Sequence, residues 1–440
     1  MADRNLLSMR RMLSLMLAIA VVGIVFAAMS SDAVATTFPA GLWLVRSKEA
    51  DWPQWRGPRR DAISREKDLL DAWPEGGPKL LWKTEGMGKG WCSPIITGGR
   101  IYIVGDVGAD LRIFALGLDG KVKWQVTNGK AWKKPFPGGR AACCYSEGKI
   151  YQMNGYGRLV CLDAATGKEQ WVVNVLERFE AKQPFFGVSE CLLVDGNNLI
   201  VTPAGKKALV AALDKKTGET VWTGTARVES TETAGYSSPI LISWGGMRII
   251  IATTSFRTFA ADARSGRVLW TAGLALTKNA CSTIPVLCGD SVFVTNTSIK
   301  DQSSSMLKIK RAGEKASKAW TQPLRTTCGS SVYVDGNVYM AGARGIKGFL
   351  CLDAKTGKVK AKLPRPTDAS MVYADGKLFV QSATGQALLL KPTSDGFKTL
   401  GSFAIVKGKK RDAWTHPVLL NGKLYLRYHD TLFCYDVKNK

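Results

Sequence analysis

The stretch Leu162-Asp163-Ala164-Ala165-Thr166-Gly167-Lys168-Glu169-Gln170-Trp171 returns as Leu213-Asp214-Lys215-Lys216-Thr217-Gly218-Glu219-Thr220-Val221-Trp222, and again from Ala261 to Trp270 as Ala-Asp-Ala-Arg-Ser-Gly-Arg-Val-Leu-Trp. A shortened copy, Leu118-Asp119-Gly120-Lys121-Val122-Lys123-Trp124, precedes them. A looser copy ends at Trp320, and Leu352 to Ala361 repeats the pattern with Ala361 in the tryptophan's place. The repeat length of 42 to 51 residues is that of a four-stranded propeller blade. No stretch downstream of the N-terminal segment sustains the 3.6-residue period of a helix.

Each unit reads alike. A short apolar strand begins among small residues, as Ser93 to Thr97, then a Gly98-Gly99 turn leads into a second strand, Ile101 to Val104. A third strand runs into the Asp-x-x-Thr-Gly turn, where Asp bonds its own backbone and Gly supplies positive φ; the fourth strand carries the Trp. First strands start near Ser93, Ala142, Glu190, Ser238, Ile284, Ser330, Ser370 and His416, which predicts eight blades. The last unit ends at Lys440 without a fourth strand, whereas Leu80-Leu81-Trp82-Lys83-Thr84 is a fourth strand with no blade before it. The two ends are expected to complete one blade and close the ring. The expected fold is therefore all-β: an eight-bladed propeller over 79–440, preceded by a strap or linker over 36–78.

Residues 1–35 read as a signal peptide. Arg4, Arg10 and Arg11 precede an apolar run from Met12 to Met29, followed by Ala33-Val34-Ala35, a small-x-small cleavage site. A periplasmic or secreted protein follows, the alternative being an inner-membrane anchor through 12–29. No cysteine precedes Cys92, so the segment carries no lipidation site. The formal charge of +25 comes from 61 Lys and Arg against 36 Asp and Glu, and it resides almost wholly downstream of residue 35. It suits anionic polymers or headgroups without choosing among them, and no motif accompanies it that would read a specific nucleic acid. With two histidines, His416 and His429, a multi-histidine metal site is excluded. Of ten cysteines, Cys161, Cys351 and Cys434 share a register that elsewhere holds Ala212 and Ala260, which marks a tight buried slot rather than a disulfide framework.

The Asp-x-x-Thr-Gly-Lys-x-x-Trp repeat over 79–440 resembles the eight-bladed propellers of quinoprotein alcohol dehydrogenases and of the outer-membrane assembly lipoprotein BamB. The resemblance implies that Trp82, Trp124, Trp171, Trp222, Trp270 and Trp320 are spacers between blades. The segment Asp51-Trp52-Pro53-Gln54-Trp55-Arg56-Gly57-Pro58 is similar to the lead-in of PQQ-like propellers, and is expected to pack on the ring. In the enzymes of that family, a quinone cofactor lies between a Trp and a vicinal disulfide, with Ca²⁺ held by Glu, Asn and Asp and an Asp base. The corresponding candidates here are the vicinal Cys143-Cys144, Glu190, Asn279 and Asp368, with Trp91, Arg140, Tyr236, Trp414 and His416 as further polar or aromatic groups at the starts of first strands. Cys143 falls on an ordinary inner strand, where neighbouring side chains alternate, and the acids around the channel are few for a hard Ca²⁺ site. Arg140 and His416 would meet an anionic group, and Trp91 and Trp414 would offer stacking faces.

The leading expectation is an exported, non-catalytic binding or scaffold protein, a monomer without cofactor. It would meet an envelope protein or anionic polymer, with peripheral membrane contact. The alternative is a PQQ- and Ca²⁺-dependent alcohol or sugar dehydrogenase. Signal cleavage is the directly checkable part: N-terminal sequencing of the exported protein is expected to begin at Thr36, whereas an intact N-terminus would support the anchor.

Overall fold

A computed structural model of the chain describes residues 42–44 and 51–439, apart from 274–282, 297–302, 311–313, 315, 327–330, 344–347, 395 and 409–411. Residues 1–35, expected to be a signal peptide, and Asn279 lie outside the described residues. Eight antiparallel sheets stand around a common centre. Their inner strands are Ile95–Thr97, Cys144–Ser146, Leu193–Asp195, Ile240–Trp244, Val286–Cys288, Val332–Val334, Ala369–Ala374 and Val418–Leu420, which define blades 1 to 8. Blade 2 shows the pattern: Cys144–Ser146, Lys149–Met153, Arg158–Asp163 and Glu169–Asn174 pair in sequence order. Blade 8 is completed by Lys79–Thr84, which pairs antiparallel with Thr431–Asp436, so the ring closes as the unpaired ends require. Leu42–Leu44 adds a fifth strand to blade 4, against Ile240–Trp244. The one described helix is a single turn, Val175–Arg178, capped by Asn174.

The repeat is a folding device. Asp163 Oδ1 accepts hydrogen bonds from the Ala165 and Thr166 amides and the Thr166 hydroxyl, while Gly167 takes φ of 75°. This fixes the hairpin so that Trp171 lies opposite Cys161, itself opposite Tyr151, with a bulge just before the Trp. The same layer recurs as Tyr102, Ala115 and Trp124, and as Phe293, Met306 and Trp320. Cys161, Ala212, Ala260, Cys351 and Cys434 are all buried in it, as their interchange implied. The indoles of Trp82, Trp124, Trp171, Trp222 and Trp320 then dock on the glycine turns of the next blades, at Gly120, Gly167, Gly218, Gly266 and Gly357. A Cβ on Gly218 would come within 2.8 Å of the Trp171 ring, and one on Gly266 within 2.4 Å of Trp222. The Trp171 indole also donates to the Lys215 carbonyl of blade 3 at 3.2 Å.

Two blades lack the tryptophan, and other residues take its place. Opposite Leu389 in blade 7 stands Gly401, and Trp73 from the N-terminal segment packs on it, 2.5 Å from where a Cβ would be. Trp73 lies 6.1 Å from Phe379, matching the 6.0 Å between Trp171 and Tyr151. In blade 6, where Ala361 stands, Phe397 of blade 7 reaches back to within 6.0 Å of Tyr339.

The segment expected to pack on the ring enters it. Trp52 pairs with Ile96 of blade 1, and Pro53 accepts from the Tyr145 amide of blade 2. Arg60 donates to the Cys191 and Leu192 carbonyls of blade 3, and Arg56 to the Ser331 carbonyl of blade 6 at 2.7 Å. Ala62 and Ser64 bond Tyr373 of blade 7, and Trp55 lies 4.9 Å from His416 beside blade 8. Six inner strands thus converge on one short coil, with Arg56 and Arg60 buried inside the ring. Both arginines, with Ala62, have φ between 59° and 65°, a conformation their carbonyl partners must hold.

Gly218→Ala tests the docking contact, because the new methyl meets the Trp171 ring and the residue keeps φ of 76°. Denaturant unfolding is expected to show a loss of about 2 kcal/mol; unchanged stability would mean the indole does not rest on the turn.

Candidate functional site

The candidates from the sequence separate into two groups. The first lies inside the ring with the inserted segment. Glu190 is 1% exposed; its Oε2 accepts from the Thr202 amide at 3.0 Å, and its Oε1 has no partner among the described residues. Burial pushes its carboxyl up to about 7, against the pull of hydrogen bonds from Thr202 and the Arg60 cation. Arg56 and Arg60 each leave one guanidinium nitrogen without a hydrogen bond among the described residues. Burial lowers Arg56 to about 9, so it stays cationic at neutral pH, and burial lowers Arg60 as well.

Cys143 and Cys144 are buried free thiols whose acidity burial suppresses. His416 packs against Trp55, and its carbonyl accepts from Ser93. Asp368 sits apart in the turn before blade 7, its amide on Gly342 and its carbonyl receiving Ala383. Among the described residues no three His, Cys, Asp or Glu side chains are placed to hold a metal ion. Among the described residues the donor set does not fit a quinone and Ca²⁺: Glu190 is buried beside Arg60, and Trp55, Arg56 and Arg60 lie among the inner strands.

The second group lies where the inner strands begin. Trp91 and Trp414 meet with ring centroids 4.9 Å apart, and the Arg140 guanidinium lies 4.9 Å over Trp91 and 5.5 Å over Trp132. The structure therefore unites Trp91, Arg140, Trp414 and, through Phe186, Tyr236. The sequence reading did not find Phe136, Phe185 and Phe186. Phe136 lies 5.5 Å from Trp414 and 5.9 Å from Phe186, which lies 5.3 Å from Tyr236. A signal for them exists: Pro135-Phe136 and Pro184-Phe185 stand in successive inter-blade loops, outside the repeated turn.

Arg140 holds these loops. Its Nη2 donates to the Pro135 and Phe136 carbonyls, its Nη1 to Gly138 and its Nε to Phe186. These contacts engage the donors that an anion would need. Nearby, a cleft of about 460 Å³ opens between Gly86 to Lys89, Asp106 to Val107, and His429 to Asp430. Asp106 there receives the Trp132 amide, and burial raises its carboxyl to about 6.

A family model described as outer membrane protein assembly factor BamB matches residues 112–363. No curated protein sequence matches the chain. Among solved structures, BamB from Moraxella catarrhalis is similar at TM-score 0.59 and 15% identity, over 82% of this chain and 99% of that one. Quinohemoprotein alcohol dehydrogenase from Comamonas testosteroni is similar at TM-score 0.63 and 12% identity, over 90% and 81%. A computationally designed protein, Ika8, reaches TM-score 0.57 at 12% identity, over 82% and 100%. Likeness at such identities carries fold alone.

Glu190 makes stability depend on pH. Its folded value of about 7 exceeds the ordinary 4.5, so the folded state holds the proton more tightly. Below about 4.5 both states are protonated and nothing is lost; between 4.5 and 7 stability falls as pH rises, and above 7 the full loss remains. Glu190→Gln is expected to unfold at higher denaturant than the parent at pH 8, by on the order of 3 kcal/mol, and to match it near pH 4. A pH-independent difference between the two would contradict the assignment.

Proposed function

The chain belongs to the family described as outer membrane protein assembly factor BamB, and from that premise we propose that it is an exported, non-catalytic propeller that binds a partner in the cell envelope. The observation that carries this reading is the inserted segment. Trp55 packs on His416, and Arg56 and Arg60 are tied to the carbonyls of blades 6 and 3 at the centre of the ring. A flat cofactor placed there would have to displace two buried arginines and leave three inner-strand carbonyls without partners. What the ring offers instead is its loops, rigidly mounted on eight blades.

Export follows from the N-terminal segment, and the positive charge keeps the protein near anionic envelope surfaces. Among the described residues no helix is long and apolar enough to cross a membrane. The dehydrogenase alternative makes an opposite prediction about cofactor binding. A ligand at 100 times its dissociation constant adds about 2.7 kcal/mol of stability. The melting midpoint of residues 36–440 is expected to stay unmoved by excess PQQ and Ca²⁺, with no dye-linked oxidation of primary alcohols. A Ca²⁺-dependent rise accompanied by oxidation would transfer the protein to the dehydrogenases.

A further inference from the structure

Phenylalanine side chains in soluble proteins bury themselves, yet two on this molecule do not: Phe185 is 65% exposed and Phe136 is 46% exposed. They stand on the loops entering blades 3 and 2 and belong to one continuous aromatic surface. Phe185 meets Phe186 at 5.0 Å, Phe186 meets Phe136, Phe136 meets Trp414, and Trp414 meets Trp91. An exposed apolar cluster of this kind marks a contact surface. We infer that this aromatic platform is the docking surface for a polypeptide segment in which acidic residues alternate with apolar ones. The inference rests on the binding reading above and names its site.

The platform is set before any partner arrives. Phe136 has φ of 55°, unusual for a bulky residue, and Arg140 holds it there through the Pro135 and Phe136 carbonyls. The same guanidinium holds the Phe186 carbonyl, and the Phe186 amide donates to the Tyr236 hydroxyl. Both loops have therefore already lost the freedom that binding would otherwise take from them. Fixed aromatic anchors of this type carry most of the affinity in protein interfaces.

Charge selects the partner. Lys133 and Lys134 are exposed beside Phe136, and Lys182 is exposed beside Phe185. Residues 131–140 and 181–189 contain no Asp or Glu. Glu180, next to the second loop, is paired with Lys207 at 3.0 Å, Asp106 receives the Trp132 amide, and the one acid close in sequence to Trp414 is Asp412. Apolar knobs in a cationic frame fit apolar side chains flanked by carboxylates. A glycan would need open ring faces and free planar polar groups, whereas here the rings meet at tilted or edge-on angles and Arg140 is engaged with backbone.

The test places a photo-crosslinking p-benzoylphenylalanine at Phe185, and separately at Val221 on the outer strand of blade 3, in the full chain within its own cells. The adduct is sequenced, and its crosslinked segment is made as a peptide. The expected result is a polypeptide adduct at Phe185 whose segment carries Asp or Glu among apolar residues. That peptide binds the purified protein, and affinity falls at least tenfold in Phe185→Ser and in the double change Lys133→Glu with Lys134→Glu, while both variants keep the parent melting midpoint. A protease-resistant, periodate-sensitive adduct means a glycan and overturns the inference, as does full affinity in Phe185→Ser. Adducts at Val221 alone leave the binding reading standing and remove the platform. No adduct at either position removes both.

Discussion

An indole resting on a glycine turn in the next blade is the contact on which the ring depends. Around Trp171 and Gly218 the approach is so close that no side chain fits between, and the indole hydrogen bond to Lys215 sets the angle. In blade 2 the bulge puts the tryptophan over the small Cys161, and that residue lies over Tyr151. Every element of the layer is therefore dictated by its neighbour. Alanine or cysteine fills the slot in blades 1 to 4, 6 and 8, while Met306 and Leu389 fill it in blades 5 and 7, and glycine ends the turn because a methyl would push the indole away.

The ten-residue repeat announces this layer, and so strand order, blade number and closure were legible from Asp163, Gly167 and Trp171 and their copies. What the repeat does not encode was not legible. Arg59-Arg60 reads as a pair of solvated basic residues, and only where the Cys191 and Leu192 carbonyls of blade 3 meet it does Arg60 find acceptors enough to be buried. Trp73 lies outside any repeat, so nothing marked it as the indole for blade 7; its role exists only because Gly401 leaves the space. Arg140 and Trp91 could be placed at the channel mouth by counting from strand starts. That Arg140 bonds backbone depends on how the Pro135 to Gly138 loop turns back upon it.

The two groups of candidates share the ring but differ in kind. Inside it, Glu190, Arg56 and Arg60 are buried polar groups that tie blades together at some electrostatic expense, as the elevated Glu190 carboxyl records. At the mouth, aromatic rings remain exposed although the fold has the means to fix them. The interior thus serves cohesion, and under the proposed binding role the loops are left to serve recognition.

The inserted coil also sets an order of events. Arg56 bonds a residue 275 positions later, and Glu66 reaches the amides of Asn421 and Gly422, more than 350 positions away. The first part of the ring to leave a ribosome therefore completes its set of partners only when the final blade has been made. Contacts this distant in sequence favour slow acquisition of the native state. Until Thr431–Asp436 receives Lys79–Thr84, the coil has no enclosed place to occupy, so a chain cut short near its C-terminus could not retain its own beginning. Such a chain stays threadable until synthesis ends, as the export proposed above would require.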